Sequence, residues 1–188
     1  PAATGRAGEP LPEQPAALAG RSGPVILSVG TLKAVKRHDV LIEAFAQLQV
    51  FPQAVLCIVG EGAERAALQA RIAALGLQGR VLLPGYAPDP SPWYAQADLF
   101  VLSSDYEGFG NVLVEALEFG LPVVSSDCPY GPREILADGR YGTLVPPGDA
   151  QALAAAMQQA LQNKPDAGAQ MARAGAFTLK IAAESYLR

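Results

Sequence analysis

Tyr106-Glu107-Gly108-Phe109-Gly110-Asn111-Val112-Leu113-Val114-Glu115-Ala116-Leu117 is the stretch that decides the fold of this chain. An apolar run of strand-forming residues, Leu99 to Leu102, comes shortly before it, and two glycines follow. The apolar spacing from Asn111 to Phe119 is that of a helix, and we expect Asn111 to cap it. A strand, a glycine loop and a helix start therefore follow one another, as in α/β proteins.

The same stretch carries groups that could hold an anion and two sugars. A helix N-terminus offers unpaired N–H groups and a partial positive charge, which suit a phosphate. Gly108 and Gly110 let another molecule approach the backbone closely. Glu107 and Glu115 flank this place, and because like charges repel, we expect each carboxylate to accept hydrogen bonds from neutral hydroxyls. A diphosphate between two sugars would satisfy all three features.

The segment from Glu107 to Glu115 resembles the Glu-(seven residues)-Glu motif of retaining nucleotide-sugar glycosyltransferases of the GT-B fold, the group 1 family. Similarity continues through Gly120 to Val124 and through Asp127 to Leu136, almost residue for residue. Two glutamates at this spacing alone would be a weak signal, and both could be solvated residues around a helix start. The whole run is specific, and the resemblance covers roughly residues 24–187.

The resemblance implies roles for individual residues. Glu107, the catalytic position, would orient hydroxyls of the transferred sugar, and Glu115 would hold the ribose hydroxyls. Backbone N–H groups would contact the sugar and the diphosphate, and backbone groups near Leu82 would meet the base. No covalent nucleophile, metal site or cofactor is implied, since the nucleotide sugar is a substrate. The implied nucleotide-sugar-binding residues are Gly30, Thr31, Lys36, Leu82, Gly108, Phe109, Gly110, Asn111, Val112 and Glu115.

The loop after the first predicted strand, 31–39, resembles the phosphate-holding loop of the same family. Lys36 falls on the family's lysine, which implies a charge-assisted contact to the diphosphate. Thr31 stands where the family commonly has arginine, so Lys33 or Arg37 would have to supply a second cation. The alternative is a solvated basic turn. His38 has no recognisable catalytic partner, and we expect a surface residue at the start of a helix.

Short apolar runs alternate with helical patterns along the chain, which predicts an α/β, Rossmann-like three-layer sandwich with a mostly parallel six-stranded sheet. The resemblance makes this the C-terminal half of a GT-B fold. Residues 1–23, rich in Pro, Ala and Gly, are predicted to form a linker or flexible arm. Residues 24–188 would form the nucleotide-sugar-binding domain, closed by a helix over 169–188. The residues that follow the predicted strand ends, where such sheets bind ligands, are Gly30, Gly60, Gly85 and Glu107.

Composition limits the possible classes. The chain has 188 residues and is 50% hydrophobic, enough for a single core, and its net charge of −4 argues against nucleic-acid binding. Cys57 and Cys128 do not make a disulfide framework, so a reducing compartment, the cytoplasm, is expected. No apolar run reaches the roughly 18 to 20 residues that span a bilayer. Peripheral association of a longer protein with the inner membrane face stays open.

These observations predict the donor-binding half of a retaining, hexosyl-type glycosyltransferase that acts in cell-surface polysaccharide, lipopolysaccharide or glycolipid synthesis. The acceptor domain would precede residue 1, so this chain alone would bind nucleotide weakly and transfer nothing. UDP is the commoner nucleotide in such families, and GDP is the alternative. A GT-B-type nucleotide-sugar epimerase and a non-catalytic nucleotide-binding module are the competing interpretations.

Overall fold

The computed structural model describes residues 13–186, with side chains described through residue 177. Strands and helices alternate along the chain as predicted, and short 3-10 turns occupy Ala16–Leu18 and Ala34–Lys36. The strands are β1 (Val25–Val29), β2 (Val55–Val59), β3 (Val81–Gly85), β4 (Leu99–Leu102), β5 (Val123–Ser126) and β6 (Thr143–Val145). The helices are α1 (His38–Ala46), α2 (Arg65–Ala74), α3 (Ser91–Gln96), α4 (Asn111–Glu118), α5 (Pro132–Ile135), α6 (Ala150–Gln162) and α7 (Ala167–Tyr186).

The six strands form one sheet in the order β3-β2-β1-β4-β5-β6, and every pairing is parallel. From β1 the chain adds β2 and then β3 on one side of the sheet. It then returns and places β4 on the other side of β1, with Ile26 opposite Leu99. The strand order therefore reverses between β1 and β4. In open α/β sheets a ligand binds outside the carboxyl ends of the strands at this switch point.

Each face of the sheet carries its own apolar core. Because successive strand residues point to opposite faces, Ile26 packs with Phe45 and Met157 on one side, and Leu27 packs with Leu113 on the other. Helices α1, α2 and α6 cover the first face, and α3, α4, α5 and α7 cover the second. The predicted three-layer α/β arrangement with six parallel strands is confirmed.

Part of the segment before β1 packs against the rest of the domain. Residues 1–12 of the predicted linker lie outside the described residues. Within residues 13–23, the Leu18 side chain is only 1% exposed and packs in the second core, and the Arg21 guanidinium donates to the Gly79 carbonyl at 3.0 Å. A single anchoring leucine leaves no hydrophobic period, which is why the sequence pattern predicted a linker here.

The closing helix α7 begins at Ala167, two residues before the predicted bound of 169. It packs against α4 through the buried Ala174 and Phe177, and the Phe177 ring meets the Phe109 ring edge-on at 5.8 Å. The chain's closing helix thus contacts the glycine loop that precedes α4. Within residues 13–186, no helix combines the length and apolarity needed to cross a membrane.

Candidate functional site

The loops that follow β1 and β4 meet at the switch point of the sheet. Lys36 ends the 3-10 turn in the first loop, and Glu107 lies in the second. The Lys36 Nζ is 2.7 Å from both carboxylate oxygens of Glu107, and the Ser103 hydroxyl donates to the Lys36 carbonyl at 2.8 Å. The two residues that the sequence assigned to diphosphate and sugar are therefore brought together in an ion pair.

The Glu107 carboxylate accepts a hydrogen bond from a serine hydroxyl. Glu107 is 7% exposed. The Ser104 hydroxyl donates to its Oε1 at 2.6 Å, and the Ser126 hydroxyl donates to the Ser104 carbonyl at 2.5 Å. Since a buried carboxylate needs both hydrogen bonds and a counter-charge, Lys36 and Ser104 together fix its orientation. The sequence analysis did not identify Ser104.

The loop from Glu107 to Gly110 is fastened to the loop after β5. The Glu107 N–H donates to the Pro129 carbonyl at 2.9 Å, and the Tyr130 N–H donates to the Glu107 carbonyl at 3.1 Å. Gly131 approaches so closely that a Cβ placed there would lie 1.7 Å from the Phe109 carbonyl oxygen. The backbone conformation around Glu107 therefore depends on its contacts with the loop after β5.

Helix α4 starts with Gly110 as its N-cap, so the prediction that Asn111 caps it is wrong. Gly110 has φ +90°, a conformation that glycine adopts without a Cβ penalty, and Asn111 is the first helical residue. The N–H groups of Asn111 and Val112 lie in the first turn, where intrahelical partners do not exist. A Cβ at Gly108 would meet no heavy atom within 4 Å. The predicted anion-binding place is therefore open.

Glu115 lies one turn into α4 and contacts Tyr94 of α3. The Tyr94 hydroxyl donates to Glu115 Oε2 at 2.9 Å. The Tyr94 side chain is 1% exposed, and its ring stacks on Phe119 with centroids 5.5 Å apart. Tyr94 therefore packs in the second core. Its hydroxyl contact was missed, although the partner that a buried tyrosine usually requires could have pointed to it.

The other predicted residues are spread along the sheet edge. The Gly30 N–H donates to the Val59 carbonyl at 3.0 Å, just past the end of β1, and Thr31 is exposed beside it. Leu82 lies within β3 and pairs with Cys57, two residues before the end of β2. The structure thus places Gly30 and Thr31 near Lys36 in the chain and leaves Leu82 within its strand.

Arg37 joins the two loops instead of offering a second cation. It adopts φ +48°, and its guanidinium contacts Asp39 at 3.1 Å and Asp105 at 3.1 Å. The hydrogen bond with Asp39 is the main reason that the pKa of Arg37 is raised above its usual value, although burial opposes it. Lys33 is exposed in the same loop. Of the two residues that could supply a cation where Thr31 replaces the family's arginine, Arg37 is paired with carboxylates and Lys33 is exposed.

His38 is buried, and the prediction of a surface residue is wrong. It is 4% exposed, and its Nδ1 has no hydrogen-bond partner within the described residues. Burial, reinforced by the charge of Lys36, lowers its pKa to about 4. The first residue of a helix is often solvated, but here it follows Arg37 in the left-handed conformation and is buried.

We expect His38 to make the fold sensitive to acid. Its pKa is 6.5 when unperturbed and about 4 in the folded chain. The unfolded chain therefore binds the proton more readily, and stability present above pH 6.5 is lost as the pH falls toward 4. Linkage gives a loss of about 2 kcal/mol between pH 7 and pH 5. Urea unfolding of the wild type and His38→Phe at both pH values tests this, and parallel losses in the two proteins would refute it.

The chain is similar in sequence to known glycosyltransferases. The family model described as glycosyl transferases group 1 matches residues 13–176. The lipopolysaccharide core biosynthesis glycosyltransferase LpsE of Rhizobium meliloti is 40% identical over 136 residues, which are 72% of this chain and 39% of that protein. A Campylobacter jejuni N-acetylgalactosaminyltransferase that acts on a diphospho-undecaprenol substrate is 41% identical over 64% of this chain and 32% of its own length. The chain thus spans less than half the length of these relatives.

Solved glycosyltransferases share the fold. Anabaena HepE, solved with UDP, has a TM-score of 0.73 and 30% identity over 82% of this chain and 43% of that one. The pneumococcal O-GlcNAc transferase GtfA, solved with UDP and GlcNAc, has a TM-score of 0.77 and 28% identity over 90% of this chain and 37% of that one. The parallel sheet, its switch-point loops and these matches agree, and the chain belongs to the group 1 family of glycosyl transferases.

Proposed function

We propose that this chain is the donor-binding domain of a retaining glycosyltransferase that moves a sugar from a nucleotide sugar to a hydroxyl acceptor. The longer protein would act in cell-surface polysaccharide, lipopolysaccharide or glycolipid synthesis, and the similarity to the lipopolysaccharide core biosynthesis glycosyltransferase LpsE supports this. The observation that carries the finer proposal is the buried Lys36–Glu107 pair at the switch point, beside the open start of α4. A cation, a carboxylate and free N–H groups meet there.

The diphosphate of the donor would bind between Lys36 and the first turn of α4. An ammonium group carries three N–H donors, so Lys36 can contact a phosphate oxygen while it still pairs with Glu107. The N–H groups from Phe109 to Val112 would donate to the sugar and the diphosphate. These fixed donors would stabilise the negative charge that grows on the leaving phosphate in the transition state. Lys33 would supply the second cation, in the place of the arginine that Thr31 replaces.

Glu107 would orient the hydroxyls of the transferred sugar. Lys36 and Ser104 hold its carboxylate at 2.6 to 2.7 Å, so the group is already oriented before a substrate arrives. Preorganised groups of this kind assist catalysis because they need little rearrangement in the transition state. Glu115 would hold the ribose hydroxyls, and the backbone near Gly30 and Leu82 would complete the nucleotide site.

UDP-sugar is the donor that we propose, with GDP-sugar as the alternative. The support is that HepE and GtfA, at 30% and 28% identity, were solved with UDP. The acceptor would be bound by a separate domain of a longer protein, which would associate peripherally with the inner membrane face. This proposal agrees with the coverage of 39% or less of the two relatives described above.

Transfer should require both the longer protein and Glu107. We expect this chain alone to show no transfer and the longer protein to link the sugar to an acceptor. Glu107→Gln in the longer protein should lower the transfer rate about a hundredfold, because the sugar hydroxyls lose the charged acceptor that orients them. Glu43→Gln, which alters a carboxylate paired with Arg71 on α2, is the matched control and should leave the rate unchanged. Epimerised nucleotide sugar formed without an acceptor would contradict the proposal.

A further inference from the structure

We propose that Tyr94 is a positioning residue that fixes the Glu115 carboxylate for ribose recognition. This inference rests on the proposed function, in which Glu115 holds the ribose hydroxyls. Tyr94 lies on α3, outside the glycine loop and outside the first turn of α4. It would therefore determine how well the site distinguishes a ribonucleotide from its deoxy analogue without touching the nucleotide.

Among the residues that the structure describes, the Tyr94 hydroxyl contacts the acceptors Glu115 and Val112. Glu115 Oε2 is 2.9 Å away, and the Val112 carbonyl is 3.4 Å away. The shorter contact is to the charged acceptor, which makes the stronger hydrogen bond. Tyr94 therefore donates chiefly to Glu115. Its longer contact with the Val112 carbonyl places the Tyr94 hydroxyl beside the first turn of α4, which would receive the diphosphate.

The tyrosine ring is held from two sides. It stacks on Phe119 with an interplanar angle of 16° and contacts Phe100 with centroids 5.6 Å apart. Phe119, the C-cap residue of α4, follows Glu115 by four residues, so both lie on the side that contacts Tyr94. Because the ring is 1% exposed, the hydroxyl has no freedom to swing into solvent. Tyr94 is thus a fixed donor.

A fixed hydrogen-bond donor to one oxygen of the Glu115 carboxylate also orients the other oxygen. Tyr94 engages Oε2, and Oε1 then keeps its lone pairs for the neighbouring hydroxyls of a ribose. A half-exposed glutamate without this contact would sample several rotamers, and binding would have to order them. The hydroxyl of Tyr94 therefore lowers the entropic cost of ribose binding.

The test is calorimetric titration of this chain with UDP and with 2′-deoxy-UDP. The wild type should bind UDP more tightly. Tyr94→Phe keeps the stacked ring and removes the donor, so UDP affinity should fall about tenfold while 2′-deoxy-UDP affinity changes little. Tyr141→Phe is the matched control, because Tyr141 lies against Arg140 and Arg173, and it should bind like the wild type.

A double-mutant cycle separates positioning from general stability. If Tyr94 acts through Glu115, then Tyr94→Phe should cause no further loss in a Glu115→Ala background. An additive loss would overturn the inference, as would Tyr94→Phe with unchanged UDP affinity and unchanged discrimination. If Tyr94→Phe fails to fold, Phe119→Leu loosens the same ring, and it should reduce the discrimination. A wild type that binds neither nucleotide would instead overturn the proposed function, and this inference with it.

Discussion

Replacing Gly131 by alanine is expected to cost about 3 kcal/mol or more in the free energy of unfolding, the range of a steric clash in a fixed loop. A Cβ at this position would lie 1.7 Å from the Phe109 carbonyl oxygen and 2.5 Å from its carbonyl carbon. Gly131 also has φ +90°. Because the clash is with backbone, the loop that carries Glu107 would have to move, and nucleotide binding should be lost with it.

Gly108→Ala is the matched control for this loop. A Cβ there meets nothing within 4 Å, and Gly108 is exposed, so we expect less than about 0.5 kcal/mol of destabilisation. Binding should nevertheless weaken, because the added methyl would face the proposed diphosphate. Urea unfolding of both variants measures the contrast. Equal stability of Gly131→Ala and Gly108→Ala would show that the loop adapts and that its shape is not imposed by Gly131.

Removing Lys36 is the second large effect that we expect. Lys36→Met would leave the Glu107 carboxylate, whose side chain is 8% exposed, without its counter-charge. Loss of one partner from a buried pair is strongly destabilising. The Lys36 side chain keeps 22% exposure, which lets water compensate in part, so we expect a cost of about 2 kcal/mol in urea unfolding.

The double variant Lys36→Met/Glu107→Gln should cost less than the sum of the two single variants, because no buried charge is then left unpaired. Arg133→Met is the control. Arg133 pairs with Asp127 and with Asp138 at the surface, where its side chain is 61% exposed, and such pairs contribute about 0 to 1 kcal/mol. Additive losses for Lys36 and Glu107 would mean that the two side chains do not interact in solution.

Much of the fold could be predicted because its signals are local. Apolar runs that end in glycine, such as Val55 to Gly60, mark buried parallel strands, and Asp149 marks the start of α6. Glu107 and Lys36 could be assigned from the resemblance, and the sheet explains why loops separated by many residues meet at one edge.

What could not be predicted depends on tertiary contacts. His38, which follows a left-handed residue at position 37, is buried, and no periodicity reveals this. The sequence left Arg37 as a candidate cation for the diphosphate, but Asp39 and Asp105 both accept hydrogen bonds from its guanidinium. The N-cap of α4 is Gly110 and not Asn111, because the φ of +90° at this position favours glycine. The Tyr94 hydroxyl on α3 donates to Glu115 on α4, a contact between two helices.

The most direct test of the account is calorimetric titration of this chain with UDP and with GDP, each compared with Glu115→Ala. We expect UDP to bind with an affinity in the micromolar to millimolar range, and we expect the variant to lose that binding by tenfold or more. Preference for GDP would correct the donor class and keep the site. No binding of either nucleotide at millimolar concentration, or binding that Glu115→Ala leaves unchanged, would contradict the central claim that this edge of the sheet holds a nucleotide sugar.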